Sequence, residues 1–265
     1  MPALRLPRPG DNPGSRSLHR LPGAVNMDPR PLIISERLKD VKRVLAVVSG
    51  KGGVGKTLVA STMALALAER RVPVGLLDLD VTNPSCHVVL GVDPSKETPP
   101  EDMGVLPVSV HGLKFMSVAF YTRGEALPLR GVGVDDVFKE MLAITRWGRL
   151  EALIIDTPPG FGDVILDIAN YIPDAGFIAV TTPSRLSVES LRRLAKTHLG
   201  GRVVGVIVNM VWKGYVPEGL GETGFKLLTT IPYCTELEEY LGNPGMLLKT
   251  EFAKRMGEAL DLLLE

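Results

Sequence analysis

Val44-Leu45-Ala46-Val47-Val48-Ser49-Gly50-Lys51-Gly52-Gly53-Val54-Gly55-Lys56-Thr57 is the stretch that decides how this chain folds. Its first five residues are a continuous apolar run, as a strand buried on both faces requires. Gly50 to Thr57 then satisfies G-x-x-x-x-G-K-[ST], and a helix-forming stretch, Leu58–Glu69, follows. Glycines lack a Cβ, so the main chain can adopt unusual φ and approach an anion closely. Successive N–H groups can then point inward, at the positive end of a helix that starts near Lys56. Such a loop cradles phosphate, with Lys56 on the β- and γ-phosphates and the Thr57 hydroxyl on Mg²⁺. Lys51, a second lysine directly after Gly50, either offsets phosphate charge or is simply solvated.

Further along, the apolar runs Val74–Leu77, Leu153–Ile155, Phe177–Val180 and Val203–Val208 have the same buried-strand character. Helix candidates at Thr57–Arg70, Val134–Arg146, Val164–Tyr171 and Ser187–Leu199 lie between them. This alternation predicts βαβ units and a mostly parallel sheet. Val105–Val110 and Leu113–Val118 flank His111-Gly112 and predict a β-hairpin. Leu248, Phe252, Met256, Leu260 and Leu263 fall at helical spacing over Leu248–Leu264. The expected class is α/β, a three-layer P-loop NTPase fold with a mostly parallel twisted sheet and helices on both faces. No composition shift interrupts 41–265, so residues 31–265 are expected to form a single domain. Residues 1–30 are rich in Pro, Gly and Arg without hydrophobic period, and read as a disordered extension. Met27 offers an alternative start.

The chain of 265 residues is 45% hydrophobic, and its 30 basic and 30 acidic side chains cancel. Zero net charge gives no bulk reason to expect nucleic acid or an anionic membrane as partner. No apolar run reaches the ~20 residues of a membrane span, and no signal-peptide core opens the chain, so a cytoplasmic protein is expected. Cys86 and Cys234, the two cysteines, lie too far apart in sequence for a CxxC clip, and a disulfide framework is not expected.

Three further residues complete the chemistry. Asp80 follows the run Val74–Leu77 and Asp78, and can accept a hydrogen bond from water near a γ-phosphate or serve as a loop or N-cap aspartate. Asp156 ends the run Ala152–Ile155, where open α/β sheets bind ligands, or where a strand-end turn would use it. Asn209 closes Val203–Val208, and its amide suits an adenine edge or a turn.

Ser49–Thr57, with its extra Lys51, resembles the deviant Walker A motif of the MinD/ParA superfamily, and is most similar to that of the Mrp-type iron–sulfur carrier ATPases. Four more stretches match in order: Asp78-Leu79-Asp80-Val81-Thr82-Asn83-Pro84-Ser85, Asp156-Thr157-Pro158-Pro159-Gly160-Phe161-Gly162-Asp163, Val180-Thr181-Thr182-Pro183 and Gly205-Val206-Ile207-Val208-Asn209-Met210. The resemblance implies a slow, dimer-dependent ATPase that uses Mg²⁺ and acts on a client protein. It implies a homodimer with nucleotide at the interface, and Lys51 reaching the partner's nucleotide as an arginine finger would. It assigns Asp80 to the attacking water, Asp156 to Mg²⁺ through water and Asn209 to adenine. Asp78 is expected in a supporting role. Pro158-Pro159-Gly160 is expected as a fixed turn, Asp163 as a helix cap, and Ile231-Pro232-Tyr233 at the base pocket. Asn83 stands where the family has glycine and is expected to tolerate a positive φ.

One part of the pattern is missing. Mrp-type carriers bear a CxxC after the Asn-Met segment, whereas Val211-Trp212-Lys213-Gly214-Tyr215 follows Met210 here. An iron–sulfur cluster needs several thiolates close together, and this chain supplies none in that loop; Cys234 and Cys86 are expected to be buried or at a helix start. The nucleotide half of the resemblance therefore carries over, and whether this chain itself binds an iron–sulfur cluster is left open by the missing CxxC. The alternative, a MinD/ParA-like spatial regulator acting through dimerisation, would want a basic amphipathic terminal helix or a basic DNA-binding stripe. Glu258–Glu265 contains no Lys or Arg, and its apolar face is expected to pack on the sheet. A ligase of the dethiobiotin synthetase kind would need a substrate carboxylate site that the sequence does not show.

Overall fold

The computed structural model describes residues 28–124, 132–212 and 219–264. Its strands are β1 (Val44–Val48), β2 (Val74–Asp78), β3 (Val108–Val110), β4 (Leu113–Ser117), β5 (Ala152–Asp156), β6 (Gly176–Thr181), β7 (Val203–Val211) and β8 (Leu227–Pro232). They form one sheet in the order β3-β4-β2-β5-β1-β6-β7-β8. Every neighbouring pair is parallel except β3 and β4. The helices are α1 (Arg30–Leu38), α2 (Lys56–Glu69), α3 (Cys86–Leu90), α4 (Ala119–Thr122), α5 (Val132–Ile144), α6 (Asp163–Tyr171), α7 (Arg185–Ala195), α8 (Leu237–Tyr240), α9 (Pro244–Leu247) and α10 (Glu251–Leu264).

Every residue of β1, β2 and β5 is buried, which is why these strands read as unbroken apolar runs. From β1 the chain moves through α2 toward one edge, whereas α5, α6 and α7 each carry it toward the other. Right-handed crossovers therefore put α2 on one face and α5, α6 and α7 on the opposite one. The crevice where the two windings part opens at the carboxyl end of β1, directly above Gly50. Helix α2 is buried almost all round, from Val59 to Leu67, because α10 covers its outer side. Its sequence accordingly has no polar face. Phe252, Met256 and Leu260 of α10 are fully buried, as their spacing predicts.

Local departures have local causes. The hairpin turns at His111 (φ 48°) and Gly112 (φ 80°), the two left-handed residues of a type I′ turn. Strand β3 starts at Val108 and not Val105, since Pro107 cannot donate to a ladder. The helix expected over Leu248–Leu264 starts three residues later, at Glu251, where Thr250 Oγ1 accepts from Ala253 N–H; the short α9 before it is started by Asn243 Oδ1, which accepts from Met246 N–H. Helix α1 was not expected. It buries Ile34 and Leu38, and Arg30, at the border of the predicted extension, pairs with Asp28 and Asp136. The rest of that extension, residues 1–27, lies outside the described residues.

Ile154, fully buried in β5 between β2 and β1, tests the sheet core. Ile154→Ala is expected to lower unfolding free energy by about 3 kcal/mol in urea denaturation. Leu32→Ala, at a side chain 79% exposed on α1, should change it by less than about 0.5 kcal/mol.

Candidate functional site

The loop from Gly50 to Thr57 is fixed by its carbonyls and left free at its amides. Asn209 Nδ2 donates to Val54 O at 2.9 Å, Ser49 Oγ to Lys51 O at 2.7 Å, and Gly160 N–H to Ser49 O at 2.9 Å. None of the main-chain N–H groups from Gly52 to Thr57 has an acceptor among the described residues. Gly53 (φ 75°) and Gly55 (φ 89°) supply the left-handed turns, and Gly55 leads into α2. A Cβ at Gly53 would meet nothing within 4 Å, whereas one at Gly55 would lie 2.5 Å from Asn209 Nδ2. One at Gly50 would run into Ser190 of α7 and Phe161. The loop is thus walled by Asn209, Ser190 and Phe161 and open beside Gly53, with its main-chain donors unpaired among the described residues.

Charged groups gather on one flank. Lys56 is buried, and burial pushes its ammonium pKa down, opposed by the charges of Asp156 and Asp80. Thr57 Oγ1 donates to Asp156 Oδ2 at 2.6 Å. Asp78 and Asp156 are register partners at the ends of β2 and β5, both with 0% exposure. Asp78 Oδ2 accepts the N–H groups of Ser85 and Cys86, each at 3.1 Å. The Cys86 thiol lies 3.6 Å from Asp156 Oδ2 and donates to it. Burial, then the charge of Asp156, raises the Asp78 carboxyl to about 8, against the lowering effect of the Cys86 N–H. Burial also raises Asp156 to about 6, with Thr57 and Lys56 opposing. The Cys86 thiol is pushed well above its ordinary range by burial and the two carboxylates.

The structure brings Gly50 to Thr57, Asp156 and Asn209 together, with Asp80 half-buried beside them. Asp80 Oδ1 accepts from Thr82 Oγ1 at 2.9 Å and from Asn83 N–H at 3.2 Å, leaving Oδ2 uncommitted. Lys51 is partly exposed and makes no ion pair among the described residues. Asn209, expected to face adenine, also braces the loop: its Oδ1 accepts Met210 N–H at 2.9 Å, and one amide hydrogen remains. Nothing in the sequence separated these two uses of the amide. Gly160 (φ 97°) forms the expected turn against Ser49. Asp163 does not cap α6: it is the first helical residue, Gly162 occupies the cap position, and no side-chain cap bond forms. Asn83 does not take a positive φ, so this turn closes without glycine-like geometry.

Sequence reasoning expected Tyr233 at the base pocket but missed its neighbour Trp212 and the setting of Cys86. Trp212 and Tyr233, 64% and 53% exposed, stand 6.0 Å apart between ring centroids at the ends of β7 and β8. Cys86 sits against Asp156, eight residues after Asp78, because the turn through Pro84 folds it back. Cys234, expected to be buried or at a helix start, is instead partly exposed in the loop after β8, its thiol donating to Pro232 O. Five strand steps separate β2 from β8, about 24 Å at the usual inter-strand spacing, so the two cysteines of one chain cannot share a cluster.

Fold and loop together define a P-loop nucleotide-binding protein. The profile of the ParA-type NUBPL iron-transfer P-loop NTPases matches residues 40–225, and the chain belongs to that family. It is similar to the iron-sulfur cluster carrier protein of Pseudomonas fragi, 35% identical over 226 residues, 78% of either chain. The carrier of Aquifex aeolicus is 34% identical over 228 residues, 79% of this chain and 63% of that protein. The carrier of Escherichia coli K12 is 36% identical over 65% of this chain and 48% of its own length. The chain thus spans only about half to four-fifths of these relatives. Among solved structures, a nucleotide-binding protein of Archaeoglobus fulgidus in complex with ADP superposes with TM-score 0.69 at 27% identity, covering 84% of this chain and 95% of that one. The cell division ATPase MinD of Pyrococcus furiosus shares the fold at TM-score 0.59 and 20% identity, over 84% and 99% of the two chains.

Both carboxyls have native pKa values above the unfolded value, so the folded chain holds protons that the unfolded chain releases. Their contribution to stability is complete below about 4 and is lost as pH rises through about 6 for Asp156 and about 8 for Asp78. The melting temperature of the nucleotide-free protein should therefore fall across that window relative to Asp78→Asn, measured by calorimetry at matched ionic strength.

Proposed function

We propose that residues 31–265 form one domain that binds ATP with Mg²⁺ at Gly50–Thr57 and hydrolyses it slowly. The cycle would drive transfer or assembly of iron–sulfur cargo on a client protein. The observation that carries this reading is the set of unpaired N–H groups from Gly52 to Thr57, held open by bonds to the loop's carbonyls. Water would otherwise have to satisfy them, and a polyphosphate satisfies them together.

Each residue then has a defined task. Lys56 adds a cation at the β- and γ-phosphates. The Thr57–Asp156 pair presents a hydroxyl oxygen and a carboxylate 2.6 Å apart, a donor set that suits a hard divalent ion. Magnesium, when bound, neutralises charge on the β- and γ-phosphates. Asp80, its Oδ1 fixed by Thr82 and Asn83, uses Oδ2 to orient the attacking water and accept its proton. Lys51, which pairs with no carboxylate among the described residues, reaches the nucleotide of a second copy in a homodimer that sandwiches ATP. Asn209 offers its remaining amide hydrogen to the base, and the Trp212–Tyr233 pair provides a face for stacking.

The cargo comes from the relatives, which are named as iron–sulfur carriers. Two cysteines set at strands well separated in the sheet do not fit a cluster, so ligands on the client or between chains would hold it. The protein acts in the cytoplasm in this reading, without membrane or nucleic acid. No helix among the described residues is long and apolar enough to cross a membrane, and the apolar face of α10 is spent on the core.

Isothermal calorimetry tests the site: Lys56→Ala should abolish the heat of MgATP binding while the circular dichroism spectrum is kept. Asp80→Ala should still bind but lose roughly a hundredfold or more in phosphate release; unchanged turnover would remove Asp80 from its role. Trp147 is buried and Trp212 exposed, so a fluorescence change on adding ATP should vanish in Trp212→Phe.

A further inference from the structure

Cys86 has no part in the nucleotide chemistry, yet it is fully buried against the carboxylate that the phosphate loop depends on. The donor atoms of Asp78, Cys86 and Asp156 lie within 4.8 Å of one another, and all three residues have 0% exposure. Their convergence is built in three steps. Parallel pairing of β2 with β5 sets Asp78 beside Asp156. The turn from Leu79 to Ser85 returns the chain so that Ser85 and Cys86 both donate N–H to Asp78 Oδ2. Helix α3 then starts at Cys86 with its thiol on Asp156.

A separate observation marks the place as unfinished. Asp156 Oδ1 is buried and has no hydrogen-bond partner, while Oδ2 carries both the Thr57 and the Cys86 protons. A buried carboxylate oxygen without a donor is costly, and buried carboxylates are normally paired or bound to a metal. Asp78 Oδ1 is also underused, accepting only Asp80 N–H at 3.2 Å.

We propose that Asp78, Cys86 and Asp156 form a cation site for one thiophilic divalent ion of the zinc class, adjoining the phosphate loop and sharing Asp156 with the Thr57–Asp156 magnesium position. One sulfur and two carboxylate oxygens are a ligand set that zinc-class ions accept and magnesium does not favour. The ion takes the place of the thiol proton and of the proton that Asp78 holds near neutral pH, and both leave to solvent. It gives Asp156 Oδ1 its missing partner and offsets two adjacent carboxylates. The site needs no nucleotide and stands whether or not the ATP reading does.

The test uses the full chain, nucleotide-free, with Cys234→Ala so that Cys86 is its single thiol. Titration with cobalt(II) should give a near-ultraviolet thiolate-to-metal charge-transfer band that saturates at one equivalent. Asp78→Asn in the same background should weaken binding tenfold or more with the fold intact by circular dichroism, and Cys86→Ser should remove the band. A folded Cys234→Ala protein that shows no such band, or only the weak visible bands of oxygen ligation, overturns the proposal. So does a band in the parent protein that disappears with Cys234. Because the decisive measurement is made with Cys86 in place, it does not depend on whether Cys86 variants fold.

Discussion

A phosphate loop works only if its donors stay unpaired, and unpaired main-chain donors are what a folding chain avoids. Here the conflict is resolved by holding the loop from behind. Three carbonyls, those of Ser49, Lys51 and Val54, are each given a donor, and the amides from Gly52 to Thr57 are left without acceptors among the described residues. The donors come from separate places: the loop's own first serine, the turn after β5 and the end of β7. The order of the sheet, with β1 between β5 and β6, is what lets these places meet.

The same ordering concentrates acid. Strand ends that converge on one crevice bring Asp78 and Asp156 into register with almost no water around them. Amides from the start of α3 hold Asp78, and Lys56 lies close enough to Asp156 to favour its charge. The arrangement is satisfied only in part, and a ligand-binding crevice is where such incompleteness is tolerated. Stability given up there is recovered when a cation or an anion arrives, which couples folding to ligand.

Most of the sheet was legible because parallel strands buried on both faces must be written as apolar runs, and Val44–Val48 appears in the structure with its predicted bounds. Gly50 to Thr57 was legible because the loop needs glycine, lysine and threonine at set positions. What escaped was local or long-range. Asn209 could be recognised as an amide at a strand end, but its hold on Val54 depends on a contact 155 residues away in sequence. Asp163 was misread because a carboxylate before a helix caps it only if the chain enters at the right angle, and Gly162 takes that position instead. Helix α1 lay hidden behind prolines that are tolerated in a first turn. Cys86 had no pattern of its own; only the turn that binds its N–H to Asp78 gives it a neighbour.

The brace from Asn209 also sets a timetable. Strand β1 and its loop are made before the strands that flank β1, which lie more than a hundred positions downstream, and the amide that fastens Val54 comes later still. Contacts so distant in sequence form slowly. A nascent chain that stops short of Asn209 carries the whole Gly50–Thr57 motif without the brace that shapes it, so nucleotide capture waits on the making of β7.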